Sequence, residues 1–350
     1  MSSFSEFDLL QSLQLSLKEK GLAVPTEVQQ RAIPLLLKGR SLVAVSETGS
    51  GKTLAFALPI LHMLKKLEND GTPVTAEGSP RAVVMVPTRE LGEQVSKVFK
   101  PFTHTTRLRV RTVLGGTALD VAKRNVSGCF EVLVATPGRL VKLVERRIVD
   151  LSDVRILVFD EADQMLDQGF LPDANLIAGA CPEKRQIGLF SATISTQVEK
   201  LIQSLLADAE MIRSEGSHRV VATLATENRT VSDGKRFPIL EAVLKQKVKG
   251  GTIIFTNTRE QCDTLAVELA KQNYSCVVYR GEMDKVERRT NLKKFTAGEI
   301  DLLVSTDLAS RGLDVEHVGR VINYHLPQQM ENYIHRVGAY RPCRSQRTGY

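Results

Sequence analysis

Two short clusters in this sequence carry residue types that handle phosphate. Residues 46–53 read SETGSGKT. The glycines let the chain turn tightly, so that N–H groups around Thr48, Gly49, Ser50 and Gly51 can face phosphate oxygens, and a helix starting there adds the positive end of its dipole. Lys52 then reaches the β and γ phosphates of a nucleoside triphosphate, and the Thr53 hydroxyl ligates Mg2+. The general pattern GxxxxGK[ST] has glycine where this chain has Ser46. The second cluster is Asp160, Glu161, Ala162 and Asp163. Adjacent carboxylates repel one another, and a divalent cation or basic side chains relieve that repulsion. Asp160 is placed to hold Mg2+ through water, and Glu161 to orient and deprotonate an attacking water. Taken singly, the first cluster also reads as a Gly-rich turn with a surface lysine and the second as a solvated helix start. Their joint occurrence after apolar runs favours phosphate chemistry.

The elements that must position these residues are legible as apolar runs. They are residues 41–46, 82–87, 132–137, 155–160 and 187–193, and then 252–256, 276–279, 300–306 and 320–324. Runs rich in Val, Ile and Leu, without polar alternation and separated by helix-length segments, predict strands buried on both faces of parallel sheets. The pattern occurs twice, so an α/β fold in two domains is expected: residues 1–213, a polar linker at 214–237, and 238–350. Residues 68–80 read as a surface loop. Ligands of such sheets bind at the carboxyl ends of strands, where the polar residues gather.

With these clusters in hand, the chain resembles the DEAD-box ATP-dependent RNA helicases over residues 4–338. GLAVPTEVQ (21–29) is similar to the family's Q motif. That likeness implies that Gln29 reads the adenine edge and that Phe4 stacks on the base. PTREL (87–91), Gly115-Gly116 and TPGR (136–139) match the family's RNA-contacting motifs of the first domain. They imply contacts from Pro87, Thr88, Arg89, Gly115, Gly116, Thr136, Pro137 and Arg139. SAT (191–193) matches the motif coupling hydrolysis to strand separation, which brings Ser191, Thr193 and Asp163 into that role. In the second half, FTNTRE (255–260) and STDLASRGLDV (305–315) imply RNA contacts from Thr258, Arg259 and Thr306, a ribose contact from Asp314 and a coupling role for Arg311. RGEMDKVERR (280–289) stands where the family reads HGxMxQxxR. Gly281 and Arg288 remain, while Arg280 and Lys285 replace a His and a Gln.

The resemblance implies two RecA-like domains, each a mostly parallel sheet flanked by helices, that close on ATP and RNA together. It implies ATP and Mg2+ as cofactors, and RNA, single-stranded or a short duplex, gripped by its backbone and locally pried apart. The end of the chain departs from the pattern. The family reads HRxGRxGRxGR, whereas here His335, Arg336 and Gly338 are followed by Ala339 and Pro342 at the places of the arginine fingers. His335 is expected in coupling and Arg336 among the catalytic groups. Read one base later, degenerate codons for residues 339–347 can encode Arg-Thr-Gly-Arg-Ala-Gly-Arg-Asn-Gly, which restores the motif. A shifted frame near codon 338 is therefore expected, with a naturally divergent tail as the alternative, and with a second domain incomplete at its C-terminus and impaired turnover.

Bulk properties agree with a globular nucleotide-handling protein. Of 350 residues, 42% are hydrophobic and 25% charged, and the net charge of +7 permits a polyanionic partner. The five cysteines are scattered, without metal-ligand spacing, and are expected to be reduced, mostly buried small apolar residues. No apolar run is long enough for a membrane span and no signal-peptide core is present, so the cytoplasm is expected. Two alternatives remain open: a nonhydrolysing ATP- and RNA-binding module, and a DNA translocase.

Overall fold

The structure is a computed structural model describing residues 3–47, 49–206, 208–214, 226–231, 233–306, 318–327, 333 and 336. The chain divides into two compact units, Met1–Ser217 and His218–Tyr350. In the first, a single 3-10 turn at Phe4–Glu6 precedes α1 (Gln11–Glu19), α2 (Glu27–Leu37), β1 (Leu42–Val45), α3 (Lys52–Asn69), β2 (Ala82–Met85) and α4 (Arg89–Thr106). Then come β3 (Val110–Val113), α5 (Leu119–Asn125), β4 (Val132–Ala135), α6 (Pro137–Glu145) and β5 (Ile156–Phe159). The unit continues with α7 (Ala162–Asp167), α8 (Leu171–Ala180), β6 (Gln186–Ser191), α9 (Thr196–Leu205) and β7 (Glu210–Arg213). The second unit holds α10 (Phe237–Leu244), β8 (Gly251–Thr256), α11 (Arg259–Lys271), β9 (Cys276–Tyr279), α12 (Lys285–Thr296), β10 (Leu302–Thr306) and β11 (Val318–Asn323).

The first sheet has seven strands in the order β3-β4-β2-β5-β6-β1-β7, and the second has four in the order β11-β8-β10-β9. Every pairing is parallel. Both are the helix-flanked parallel sheets expected from the apolar runs. Alternate residues of each strand feed opposite faces. Leu42, Ala44, Val84 and Val158 join the core under α2, α3 and α4, while Val43, Val45, Met85 and Phe159 join the other. In the second unit Ile253, Phe255 and Leu303 face one core and Ile254 and Val304 the other. A strand apolar on both sides is what two covered faces require.

Two strands went unread in the sequence, β3 and β7. Both lie at sheet edges, and both carry exposed polar residues, Arg111 and Arg213 among them. An edge strand needs only one apolar side, so its sequence lacks a continuous run. Polar residues also fix the helices. Gln186 at the start of β6 donates from Nε2 to Leu36 O (2.9 Å) and Arg40 O (2.8 Å), which satisfies carbonyls at the C-terminal end of α2 and ties that helix to the sheet. Of the expected linker, residues 215–225 and 232 lie outside the described residues.

Candidate functional site

The strand ends bring the two phosphate-handling clusters together. Ser46 follows β1, and its N–H donates to Ser191 O at the end of β6 (3.0 Å). Asp160 follows β5, whose partner strands are β2 and β6. Lys52, 4% exposed, bridges the clusters: Nζ lies 3.1 Å from Glu161 Oε1 and donates to Ser46 O at 3.0 Å. Burial works against the ammonium charge, but the fields of Glu161, Asp160 and Asp163 outweigh it and raise its pKa. Asp160 is also buried. Desolvation, then repulsion from Glu161, pushes its carboxyl up to about 7, although Lys52 and the Glu161 N–H (3.1 Å to Oδ1) oppose this. Glu161 itself has φ 50°, in the left-handed region, at the sharp turn from β5 into α7.

The phosphate loop is held from both sides. Gly49 and Gly51 have φ of 84° and 96°, conformations that favour glycine. A Cβ added at Gly51 would come within 2.4 Å of Gln29 Nε2. Gln29, buried in α2, accepts from Thr26 N at 2.9 Å and donates to Gly51 O at 3.0 Å. Ser50 Oγ donates to Ser46 Oγ at 3.0 Å, a bond that glycine at 46 would not supply. Thr53 lies in the first turn of α3. Phe4 is 4% exposed, set edge-on to Phe7 with ring centroids 5.9 Å apart. It lines a cavity of about 410 Å³ with Gly21, Leu22 and Lys18.

Asp163 ties the acidic turn to β6. Its Oδ2 accepts from Ala192 N (3.2 Å), Thr193 N (2.8 Å) and Thr193 Oγ1 (3.0 Å). Its own N–H donates to Ser191 Oγ at 3.1 Å, and Ser191 Oγ donates to Thr193 O at 2.7 Å. Three of the residues expected to couple, Asp163, Ser191 and Thr193, thus form one buried network.

A second constellation lies at the ends of β2, β3 and β4. Pro87 and Thr88 follow β2, and the Thr88 hydroxyl accepts from Leu91 N (3.2 Å), capping α4 with Arg89 as its first residue. Arg89 Nε donates to Glu93 Oε1 at 2.9 Å. Thr136 N donates to Val113 O at 3.1 Å, so the end of β4 lies beside the turn holding Gly115 and Gly116, the latter at φ 81°. The Thr136 hydroxyl is buried without a hydrogen-bond partner, 3.6 Å from where a Gly115 Cβ would stand. Pro137 opens α6, and Arg139 donates to Thr117 O.

In the second unit Thr258 caps α11, accepting from Gln261 N at 3.2 Å, and Arg259 begins that helix. Arg259 pairs with Glu282, and Gly281 is adjacent. Thr306 ends β10, 6% exposed. Arg280 is engaged by Asp263 (2.7 Å), and Arg288 lies over the Tyr279 ring, 4.6 Å from its centroid.

Arg336, expected among the catalytic groups, lies within the second unit. It is 1% exposed and donates to Asn323 Oδ1 (2.9 Å), His325 O (2.5 Å) and Asn257 Oδ1 (2.7 Å), with its guanidinium 5.2 Å from the Phe255 ring centroid. It clamps β8 to β11 within its own unit. Thr48, Arg311, Asp314 and His335 lie outside the described residues.

The donor set suits Mg2+. The Thr53 hydroxyl and the Asp160 carboxyl are hard oxygens, and the Asp160 carboxyl is buried at the end of β5 beside Glu161. Among the described residues no three His, Cys, Asp or Glu cluster as a self-sufficient metal cage.

Comparison with known proteins agrees with this geometry. The DEAD/DEAH box helicase family model matches residues 26–201, and the helicase conserved C-terminal domain model matches residues 235–343. The chain belongs to the DEAD/DEAH box helicase family. RNA helicase CrhR of Synechocystis sp. is 34% identical over 338 residues, covering 96% of this chain and 67% of its own length. The DEAD-box ATP-dependent RNA helicase RhpA of Helicobacter pylori is 36% identical over 337 residues, covering 96% and 66%. The chain therefore spans about two thirds of these relatives. Among solved structures, S. cerevisiae Dbp5 bound to RNA and ADP BeF3 superposes with a TM-score of 0.82 at 27% identity, covering 97% of this chain and 86% of that one. The two parallel helix-flanked units match the tandem RecA-like fold of the DEAD-box structures.

Proposed function

We propose that this chain is an RNA-dependent ATPase that holds RNA by its backbone, without reading sequence, and locally separates short duplexes. The observation that carries this reading is that the phosphate loop meets the coupling network: Lys52 bridges Ser46 O and Glu161, the Ser46 N–H donates to Ser191 O, and Ser191 and Thr193 bond Asp163. A phosphate-binding loop and a coupling network in direct contact are what ATP-driven work requires. Names of relatives, among them ATP-dependent RNA helicases, and the RNA-bound Dbp5 structure support the same substrates.

In this reading Gln29 and Phe4 bind adenine, and the loop from Thr48 to Thr53 binds the phosphates. Lys52 must leave Glu161 to reach a γ phosphate, and that frees the Glu161 carboxylate to accept a proton from the attacking water. Mg2+ held by Thr53 and Asp160 supplies charge neutralisation at the phosphates when bound. Pro87, Thr88, Arg89, Gly115, Gly116, Thr136, Pro137 and Arg139 hold RNA phosphate and ribose in residues 1–213. Thr258, Arg259, Gly281 and Thr306 do so in residues 238–350, with Asp314 on the nucleotide ribose and Arg311 and His335 in coupling. Residues 214–237 join the two. A reducing cytoplasm fits the free thiols Cys129, Cys181, Cys262 and Cys276. Burial pushes the thiols of Cys181 and Cys262 up to about 11 and about 12, which makes them inert.

One observation favours the nonhydrolysing alternative. Arg336 is committed to its own unit, and Ala339 and Pro342 offer no cation at the finger places. A shifted reading frame accounts for those residues, and the gene sequence around codon 338 tests it. Phosphate release with and without single-stranded RNA separates the functional readings. RNA stimulation that disappears in Lys52→Ala supports the ATPase; RNA and ATP binding without turnover supports the binding module; equal stimulation by DNA sinks the RNA reading.

A further inference from the structure

Two of the three arginines expected to hold RNA occupy equivalent places in the two units. Arg89 and Arg259 each follow a threonine whose hydroxyl caps a helix, and each begins that helix just beyond a buried parallel strand. In both places the guanidinium faces a glutamate. Arg89 Nε donates to Glu93 Oε1 at 2.9 Å, and Arg259 pairs with Glu282. The second pair carries more information. A Cβ on Gly281 would stand 3.9 Å from Arg259 Nε, so Arg259, Gly281 and Glu282 form one cluster around a single guanidinium. Glu282 has φ 62°, a left-handed conformation that residues with a Cβ adopt only at a cost. The side chains of Arg259 and Glu282 are 49% and 71% exposed, which leaves the pair open to a ligand.

We propose that Glu282, and in parallel Glu93, are phosphate surrogates: each carboxylate holds its arginine where an RNA phosphate must take its place, and so sets RNA affinity and its salt dependence. The inference rests on the RNA reading above. Carboxylate and phosphodiester present similar oxygens to the planar fork of a guanidinium, so one displaces the other at the same donors. The displaced glutamate stays near the incoming phosphate and repels it. Exposed pairs of this kind contribute little each, so the expected effect is about two- to five-fold in RNA affinity per site.

The test is fluorescence anisotropy of a labelled oligouridylate with the full chain, Mg2+ and a nonhydrolysable ATP analogue, across a salt series. Glu282→Gln and Glu93→Gln should each lower the RNA Kd by about two- to five-fold at low salt, with the two effects multiplying in the double variant. The slope of log affinity against log salt should steepen, by up to about 0.7 per site. Glu282→Asp keeps the charge but loses a methylene of reach, and it should give most of the Gln effect. Nucleotide affinity without RNA should not change. An unchanged Kd in Glu282→Gln overturns the proposal, as does a Glu282→Asp chain that binds like wild type, because a general acidic field would then account for the Gln effect. If no variant, wild type included, binds RNA at low salt, the RNA reading fails and this inference falls with it.

Discussion

At the scale of single residues, the site is governed by what each buried charge has beside it. Lys52 and Glu161 offset one another at 3.1 Å, and Asp163 is surrounded by three donors from the turn after β6. Residue type and spacing sufficed to nominate all three from sequence, because few other chemistries call for a lysine after a glycine loop and a carboxylate cluster after a strand. Arg336 was nominated by its place in a motif. Its position in a motif said that a guanidinium mattered; only the packing revealed that Asn257, Asn323 and the His325 carbonyl consume its donors. Replacing it with leucine leaves buried polar partners unpaired, so Arg336→Leu should destabilise the second unit by about 2–4 kcal/mol. Urea unfolding followed by a probe in that unit measures the loss. Unchanged stability would return Arg336 to a purely functional role.

Among the elements, α1 shows how a helix with poor local signals is fixed by a distant side chain. Its N-cap is Leu10, which offers no side-chain acceptor. Instead the Leu10 N–H donates to His62 Nδ1 on α3 at 3.2 Å. That bond requires a neutral ring. Burial lowers the His62 pKa, and Lys66 adds to this while Asp8 opposes it. A lowered histidine binds fewer protons folded than unfolded, so its contribution to stability is complete above about 6.5 and is lost as pH falls through the folded value. Acidification from about pH 7 to about pH 5 should therefore loosen α1 in the wild type. In His62→Gln, which keeps an acceptor without titrating, the pH dependence of the unfolding midpoint should be smaller. Equal slopes for the two chains would remove His62 from the account. Nothing local in residues 10–19 announces this contact, just as the alternating sequences of β3 and β7 do not announce strands.

For the whole molecule, the arrangement of motifs along the chain agrees with family membership, while the sequence after Gly338 departs from the family's arginine pattern. Ala339 and Pro342 stand where the family places arginines that stabilise charge on a transferring phosphoryl group. A chain with Ala339→Arg and Pro342→Arg should gain turnover, by up to about three powers of ten, with nucleotide affinity of the first unit little altered. Single-turnover phosphate release against ATP-analogue binding separates the two quantities, and a gain in affinity alone would contradict the assignment. The sequence by itself determined the two parallel sheets and nominated the candidate phosphate-handling residues, because strands buried on both faces are written as continuous apolar runs and metal–phosphate chemistry admits few residue types. Only the tertiary structure decided the partners: that Glu161 neutralises Lys52, that Gln29 rests on Gly51, that Arg336 joins Asn257 to Asn323, and that Arg89 and Arg259 each face a glutamate. Those contacts join residues far apart in the chain, or depend on which way a side chain points, and spacing along a sequence records neither.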